Sequence, residues 1–211
     1  MKKQLAIAGA FAAALALAAC GDRNAEEEGP IAEASSETGV GSNPASNTVQ
    51  DAASAVVGPT SAVTLGRTTG GFVTNAAIGD MYEIEAGRLA ATKAKNAGVK
   101  SFAAMLVKDH TAMSNELKST LGTANAGADI TIPTAMDERR TGMIDNLKQA
   151  PADQFDKVFI AQQVAAHREA KELLQTYVDA GDNAPLKAHA SKGLPKIQAH
   201  LTQAETIEKG L

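Results

Sequence analysis

The 211-residue chain has no tryptophan, two tyrosines, five phenylalanines and a single cysteine. One cysteine cannot form a disulfide within the chain, so the fold must stand on its apolar core. From Phe72 onward no run of alternating β-branched residues appears, which argues against a sheet. There is no nucleophile elbow, P-loop or dinucleotide fingerprint to support familiar catalysis. Basic excess is absent too, since the net charge is −4. Nucleic-acid binding needs a basic stripe, and here the lysines and arginines alternate with acids as on a solvated surface.

What is present begins at the N-terminus. Lys2 and Lys3 precede an apolar run, Leu5–Ala19, that is too short for a comfortable permanent span. It ends in Leu17-Ala18-Ala19-Cys20, which resembles a bacterial lipobox. The resemblance implies that residues 1–19 are a lipoprotein signal peptide and that Cys20 is lipidated. Lipid chains bind by burying methylenes, so several together hold firmly to a membrane. Gly21, not aspartate, follows the cysteine. By the same resemblance this favours the outer membrane, with the protein facing the periplasm.

Residues 20–70 are expected to form a flexible tether with order beginning in the sixties. They lack aromatics, are rich in Ala, Ser, Thr, Gly and Asn, and include Glu26-Glu27-Glu28. Such a stretch cannot bury enough apolar surface to offset its ordering entropy. Residues 21–70 carry seven acids and two arginines, which leaves the remaining domain, 71–211, nearly neutral.

That domain reads as all helix. Apolar residues recur at three- and four-residue spacing. A first helix is expected over 72–96, with a stripe of Ile78, Tyr82, Glu85 and Leu89 and a stop at Gly98. A second covers 99–121, with Val99, Ala103, Leu106, His110, Met113 and Leu117. A short helix follows Pro133–Asp137, with Met136, Arg140, Met143 and Leu147 on one side. A third long helix starts near Pro151 and ends at Gly181, and a fourth opens at Asn183-Ala184-Pro185. Alanine is abundant, so these rods can lie close together. The fold class is an all-α antiparallel four-helix bundle with an extra short helix between the second and third long ones. Pro195 should kink the last helix or divide it.

Each long helix carries one ionisable residue in its stripe: Glu85, His110, His167 and His200. Glu85 and His110 both lie about 19 Å from the first hairpin turn at helical rise. For His167 and His200 the mismatch is about 4–5 Å. If the far ends of the second and third long helices share one end of the bundle, all four groups meet within about a turn. Three imidazoles and a carboxylate at one level suit a single divalent transition metal: Zn, Fe, Mn or Cu. A polar layer that fixes helix register competes with that reading, as does a pH-sensitive histidine cluster. Asp109 is about 100° round the helix from His110, so it faces a neighbouring helix or orients an imidazole from behind. Glu83 is about 200° from Glu85 and is expected to be exposed. His189 should not join the site. Asp156 is expected in a separate buried pair, and Met105 and Met113 are read first as packing.

Three segments, "MYEIEAGRLAATKAKNAGVKSFAAMLVKDHTAMSNEL", "FDKVFIAQQVAAHREAKELL" and "GDNAPLKAHASKGLPKIQAHL", together resemble bacterial domain-of-unknown-function family 4142, often labelled outer-membrane proteins. The resemblance covers about 72–211. It implies a ferritin-like four-helix bundle that is exported and often lipidated. Di-iron bundles place Glu-x-x-His on two helices. Val107, Val164 and Ile197 occupy the glutamate position here, so ferroxidase chemistry and iron storage are not expected. The expectation is a membrane-tethered, non-enzymatic bundle with a candidate mononuclear site. The alternatives are a metal enzyme with an open coordination position and an envelope interaction module without metal.

Overall fold

The computed structural model describes residues 62–211. The expected signal peptide, Cys20 and most of the tether lie outside the described residues. Five helices follow in order: α1 (Thr69–Lys93), α2 (Ala97–Thr123), α3 (Glu138–Gln149), α4 (Phe155–Ala180) and α5 (Ala184–Glu208). No strand occurs among the described residues. The fold is the expected all-α bundle.

Local chemistry sets the helix limits. The Thr68 hydroxyl accepts from Gly71 N at 3.2 Å and opens α1. Ala94 turns into extended backbone and ends it. Gly98 is therefore not the stop expected of it. It lies in the first turn of α2, where its N–H donates to the Asn96 side chain at 2.7 Å. Asp137 caps α3 through Arg140 N at 2.7 Å, and Asn183 caps α5 through Leu186 N at 3.2 Å. Pro195 lies inside one continuous α5 and does not divide it.

The described residues start within the sixties, inside the stretch that the sequence marks as tether. Residues 62–65 are helical, and Ala62 is buried. A Cβ added to Gly66 would fall 3.0 Å from the Leu173 carbonyl of α4.

Contacts fix the topology. Three-residue turns, 94–96 and 181–183, make antiparallel hairpins of α1–α2 and α4–α5. Thr69, at the start of α1, bonds the Tyr177 hydroxyl near the end of α4 at 2.7 Å and also Asp182. At the other end, Asp156 accepts from the backbone of Lys95 and Asn96 at 3.1 and 2.8 Å. Asp156 thus binds a turn rather than forming the expected buried pair. Helices α2 and α5 are antiparallel as well, with Lys192 on Glu116 and His200 on Asp109. Since α2 ends at the opposite end from the start of α4, residues 124–154 must travel the length of the bundle. Asn125 and Gly127 turn the chain with positive φ of 49° and 110°. The α3 segment then climbs α1, with Arg140 5.0 Å over the Tyr82 ring and Lys93 Nζ on the Leu147 carbonyl at 3.1 Å. One long crossover is a connection found in ferritin-like bundles.

The core has two apolar parts. One contains Phe102, Leu106, Leu147, Phe155, Phe159 and Ile160. The other contains Phe72, Leu117, Leu173, Leu174, Tyr177 and Leu186, with Phe72 stacked on Tyr177 at 4.0 Å. Gly87 permits a close α1–α2 approach, since a Cβ there would meet Val107 Cγ2 at 2.7 Å. Buried polar side chains lie between the two parts.

Candidate metal centre

His110, His167 and His200 converge inside the bundle, each no more than 3% exposed. Their ring centroids form a near-equilateral triangle with sides of 5.6, 5.5 and 5.4 Å. The reason differs in part from the one expected. The end of α2 and the start of α4 lie at opposite ends of the bundle. Convergence survives because His110 and His167 are at the midpoints of helices of 27 and 26 residues. The α4–α5 mismatch of about 4–5 Å along the axes is reduced by side-chain lean. Helical side chains tilt toward their own N-terminus. Antiparallel His167 and His200 therefore lean toward each other.

Each imidazole is held from behind by an acceptor. His110 Nδ1 donates to Asp80 Oδ1 at 2.8 Å. His167 Nδ1 donates to the Gln163 carbonyl at 2.9 Å. His200 Nε2 donates to Asp109 Oδ2 at 3.0 Å, and Lys196 braces that carboxylate at 3.1 Å. A carbonyl or carboxylate can only accept, so these bonds assign the ring protons to the outer nitrogens. The inner nitrogens, His110 Nε2, His167 Nε2 and His200 Nδ1, are buried without a hydrogen-bond partner. One donor atom from each ring lies within 4.8 Å of the other two, so a common centre is at most about 2.8 Å from each. Metal–imidazole bonds of about 2.0–2.1 Å need each ring to move inward by at most about 0.8 Å. With the protons on the outer nitrogens, three lone pairs face one another.

The fourth expected ligand lies elsewhere. Glu85 is 44% exposed in its side chain and stands 3.8 Å from Lys148. Glu83, expected outside, is 4% exposed, with Oε1 3.7 Å from His167 Nδ1. The physical cause is the weak apolar contrast of α1. Alanines and glycines occur on both faces, and the inner stripe runs Ala77, Asp80, Glu83, Gly87, Ala90. Tyr82 is buried, while Ile78 and Leu89 are only partly so, which rotated the expected face. Asp80, at three-residue spacing from Glu83, was the missed signal. Glu169 was missed too. It binds Arg139 at 2.7 Å and Arg140 at 3.1 Å, and Arg140 and Glu169 line one small cavity with Glu83 and His110.

Electrostatics follow from this burial. Burial pushes the Glu83 carboxyl up to about 7, against the pull of His110 and Arg140. For His110, burial acts to lower the pKa, but the Asp80 hydrogen bond and the charges of Glu83, Asp80 and Asp109 outweigh it and hold it above 6.5. Burial, reinforced by the charges of His110 and His200, drives His167 well below 6.5. Burial and His110 also lower His200, against Asp109. The cluster therefore accepts a first proton at His110 and resists a second.

Asp109 thus orients His200 from a neighbouring helix. His189 stays apart from the trio, with its ring centroid 6.4 Å from that of Phe72. Met113 lies in one apolar part, and Met105 is packed against the other. No group among the described residues other than the three imidazoles has metal-ligand spacing.

Fold and site define the class: an antiparallel four-helix bundle with one crossover and three inward imidazoles at its middle. The chain belongs to the family described as Domain of unknown function (DUF4142), whose model matches residues 54–207. A solved structure titled "CopM in the Cu(II)-bound form" has a similar fold, with a TM-score of 0.58 at 17% identity. The similarity covers 68% of this chain and 97% of that one. Curated proteins gave no match. No helix among the described residues is long and apolar enough to cross a membrane.

Proposed function

We propose that this protein binds one divalent transition-metal ion in the cell envelope, and that Cu(II) or Zn(II) is the ion. His110 Nε2, His167 Nε2 and His200 Nδ1 would hold it. The carrying observation is the assignment of ring protons: every outer nitrogen has an acceptor, and every inner nitrogen is buried with none. Outer acceptors that fix a tautomer and raise ligand basicity are the usual support of a metal-binding histidine. An all-nitrogen donor set favours Cu or Zn over Mn, which prefers oxygen. The copper named for the fold neighbour agrees with this choice.

Three protein donors leave a fourth position, as in catalytic rather than closed structural zinc sites. The cavity beside His110 holds only about 40 Å³. That admits water but no sizeable organic substrate. Binding or buffering of the ion is therefore favoured over catalysis. In this reading Cys20 is lipidated and ties the bundle to the periplasmic face of the outer membrane.

Metal analysis of untagged full-length protein, with and without added Cu(II) and Zn(II), tests the proposal. One ion per chain, lost in a His110→Ala/His167→Ala double variant that remains helical, is expected. Wild-type protein that retains no ion, or a double variant that retains it fully, overturns it.

A further inference from the structure

The cavity next to the trio has a consequence for how an ion reaches it. Its α1 wall is the stripe Asn75, Ala76, Gly79, Asp80 and Glu83, and its α4 wall includes Ala166, Glu169 and Ala170. Asn75, Ala76, Gly79 and Ala170 are partly exposed and form a rim, whereas Asp80, Glu83 and His110 are buried and form the floor. A Cβ added to Gly79 would meet nothing within 4 Å, so the rim is open at that point. On the floor, Glu83 Oε2 is buried without a hydrogen-bond partner. Arg140 also lines the cavity, but Glu169 pairs with it at 3.1 Å. Asp80 is bonded through Oδ1 to His110 Nδ1 at 2.8 Å, so Glu83 Oε2 is the carboxylate oxygen of the floor left without a partner. The space, about 40 Å³, holds about three or four waters by the rule of about 10–15 Å³ for each.

We infer that divalent cations enter and leave the histidine trio laterally, through the α1–α4 seam beside Gly79, with the Asp80 and Glu83 carboxylates receiving the partly dehydrated ion before it passes to His110. The inference rests on the metal-binding reading above. Three features carry it together: a rim of small residues, a water-sized space that touches one ring of the trio, and an unpartnered buried carboxylate oxygen. Carboxylates in a low-dielectric cleft raise the local concentration of cations and offset the loss of their hydration. The apolar parts of the core close the bundle above and below, which leaves the seams between helices as entrances.

Gly79→Leu tests this with little risk to folding, since leucine is the better helix former and has room to extend. Ala170→Leu narrows the same rim from α4. Gly122→Leu, remote and equally unobstructed at Cβ, controls for helix stiffening. Metal-free full-length proteins are mixed with Cu(II) in stopped flow and followed by tyrosine fluorescence, undisturbed by tryptophan. Release is followed with excess chelator. Gly79→Leu and Ala170→Leu should slow both uptake and release at least tenfold, with one ion still bound per chain. Gly122→Leu and Gly79→Ala should match wild type. Wild-type rates in both blocking variants at full stoichiometry overturn the lateral route and leave the metal centre intact. Failure of wild type to bind Cu(II) at all overturns the metal reading on which the route depends.

Discussion

Replacing His167 with glutamine separates an ion site from an inert polar layer. In the metal-free protein three buried ring nitrogens lack partners. Each costs roughly 1–3 kcal/mol, so the layer opposes folding by about 3–9 kcal/mol out of gross terms that leave only about 5–15 kcal/mol net. An ion satisfies all three at once. At a free concentration about 1,000 times its Kd it adds about 4 kcal/mol. A bundle of this size gains about 2–4 °C per kcal/mol, so Cu(II) or Zn(II) should raise Tm by roughly 8–16 °C. Glutamine at 167 brings an amide with two donors, which can face His110 Nε2 and His200 Nδ1. It cannot replace imidazole as a strong ligand. Metal-free His167→Gln should therefore melt at or slightly above wild type, while its ion-induced rise collapses to about 2 °C or less. Scanning calorimetry in chelator-treated buffer, before and after metal addition, measures both quantities. An equal rise in variant and wild type would refute the reasoning, as would a metal-free variant that melts about 10 °C lower.

Three further outcomes follow from the same geometry. Asp80→Asn keeps an oxygen acceptor for His110 Nδ1 but removes its charge, so ion affinity should drop about 10–100-fold in chelator competition with helicity unchanged. Affinity should also depend on pH with a definite sign. His110 holds its proton above 6.5 while His167 and His200 are already neutral there. As pH falls through the raised His110 value, one proton competes with the ion and affinity should fall about tenfold per unit. It should level off on the alkaline side, and a flat profile between pH 6 and 9 would remove His110 from the ligand set. Gly87→Ala should destabilise the bundle by about 1–3 kcal/mol in urea unfolding, because the new Cβ would lie 2.7 Å from Val107 Cγ2.

Much of the bundle was readable because α2, α4 and α5 carry clear stripes. In α2, Val99, Leu106, Met113 and Leu117 all face inward with His110. Asn183 and Asp137 announced their helices through capping chemistry that depends only on local sequence. Reading α1 was harder. Its inner face is built from alanine, glycine and two acids, so apolar periodicity pointed to Glu85 and away from Glu83. Burial of Glu83 depends on Gln163, Arg140 and the imidazoles, which come from distant parts of the chain and share no periodic signal. The Arg140–Glu169 pair has the same origin, since it exists only because the crossover lays α3 beside α4. Level histidines could be found by counting from turns, although the end-to-end premise behind part of that count was wrong. Mid-helix placement made the result indifferent to it.

That central placement also governs persistence. Helices loosen at their tips, where opening costs almost nothing, and stay closed longest at their middles. His110 and His167 are each more than three turns from either tip, and His200 is two turns from the end of α5. Fraying at the ends of α2 or α4 would have to undo about half of either helix before it reached His110 or His167. The grip of the trio is therefore insulated from whatever the exposed ends encounter, and its lifetime is set by events across the bundle's girth rather than along its length.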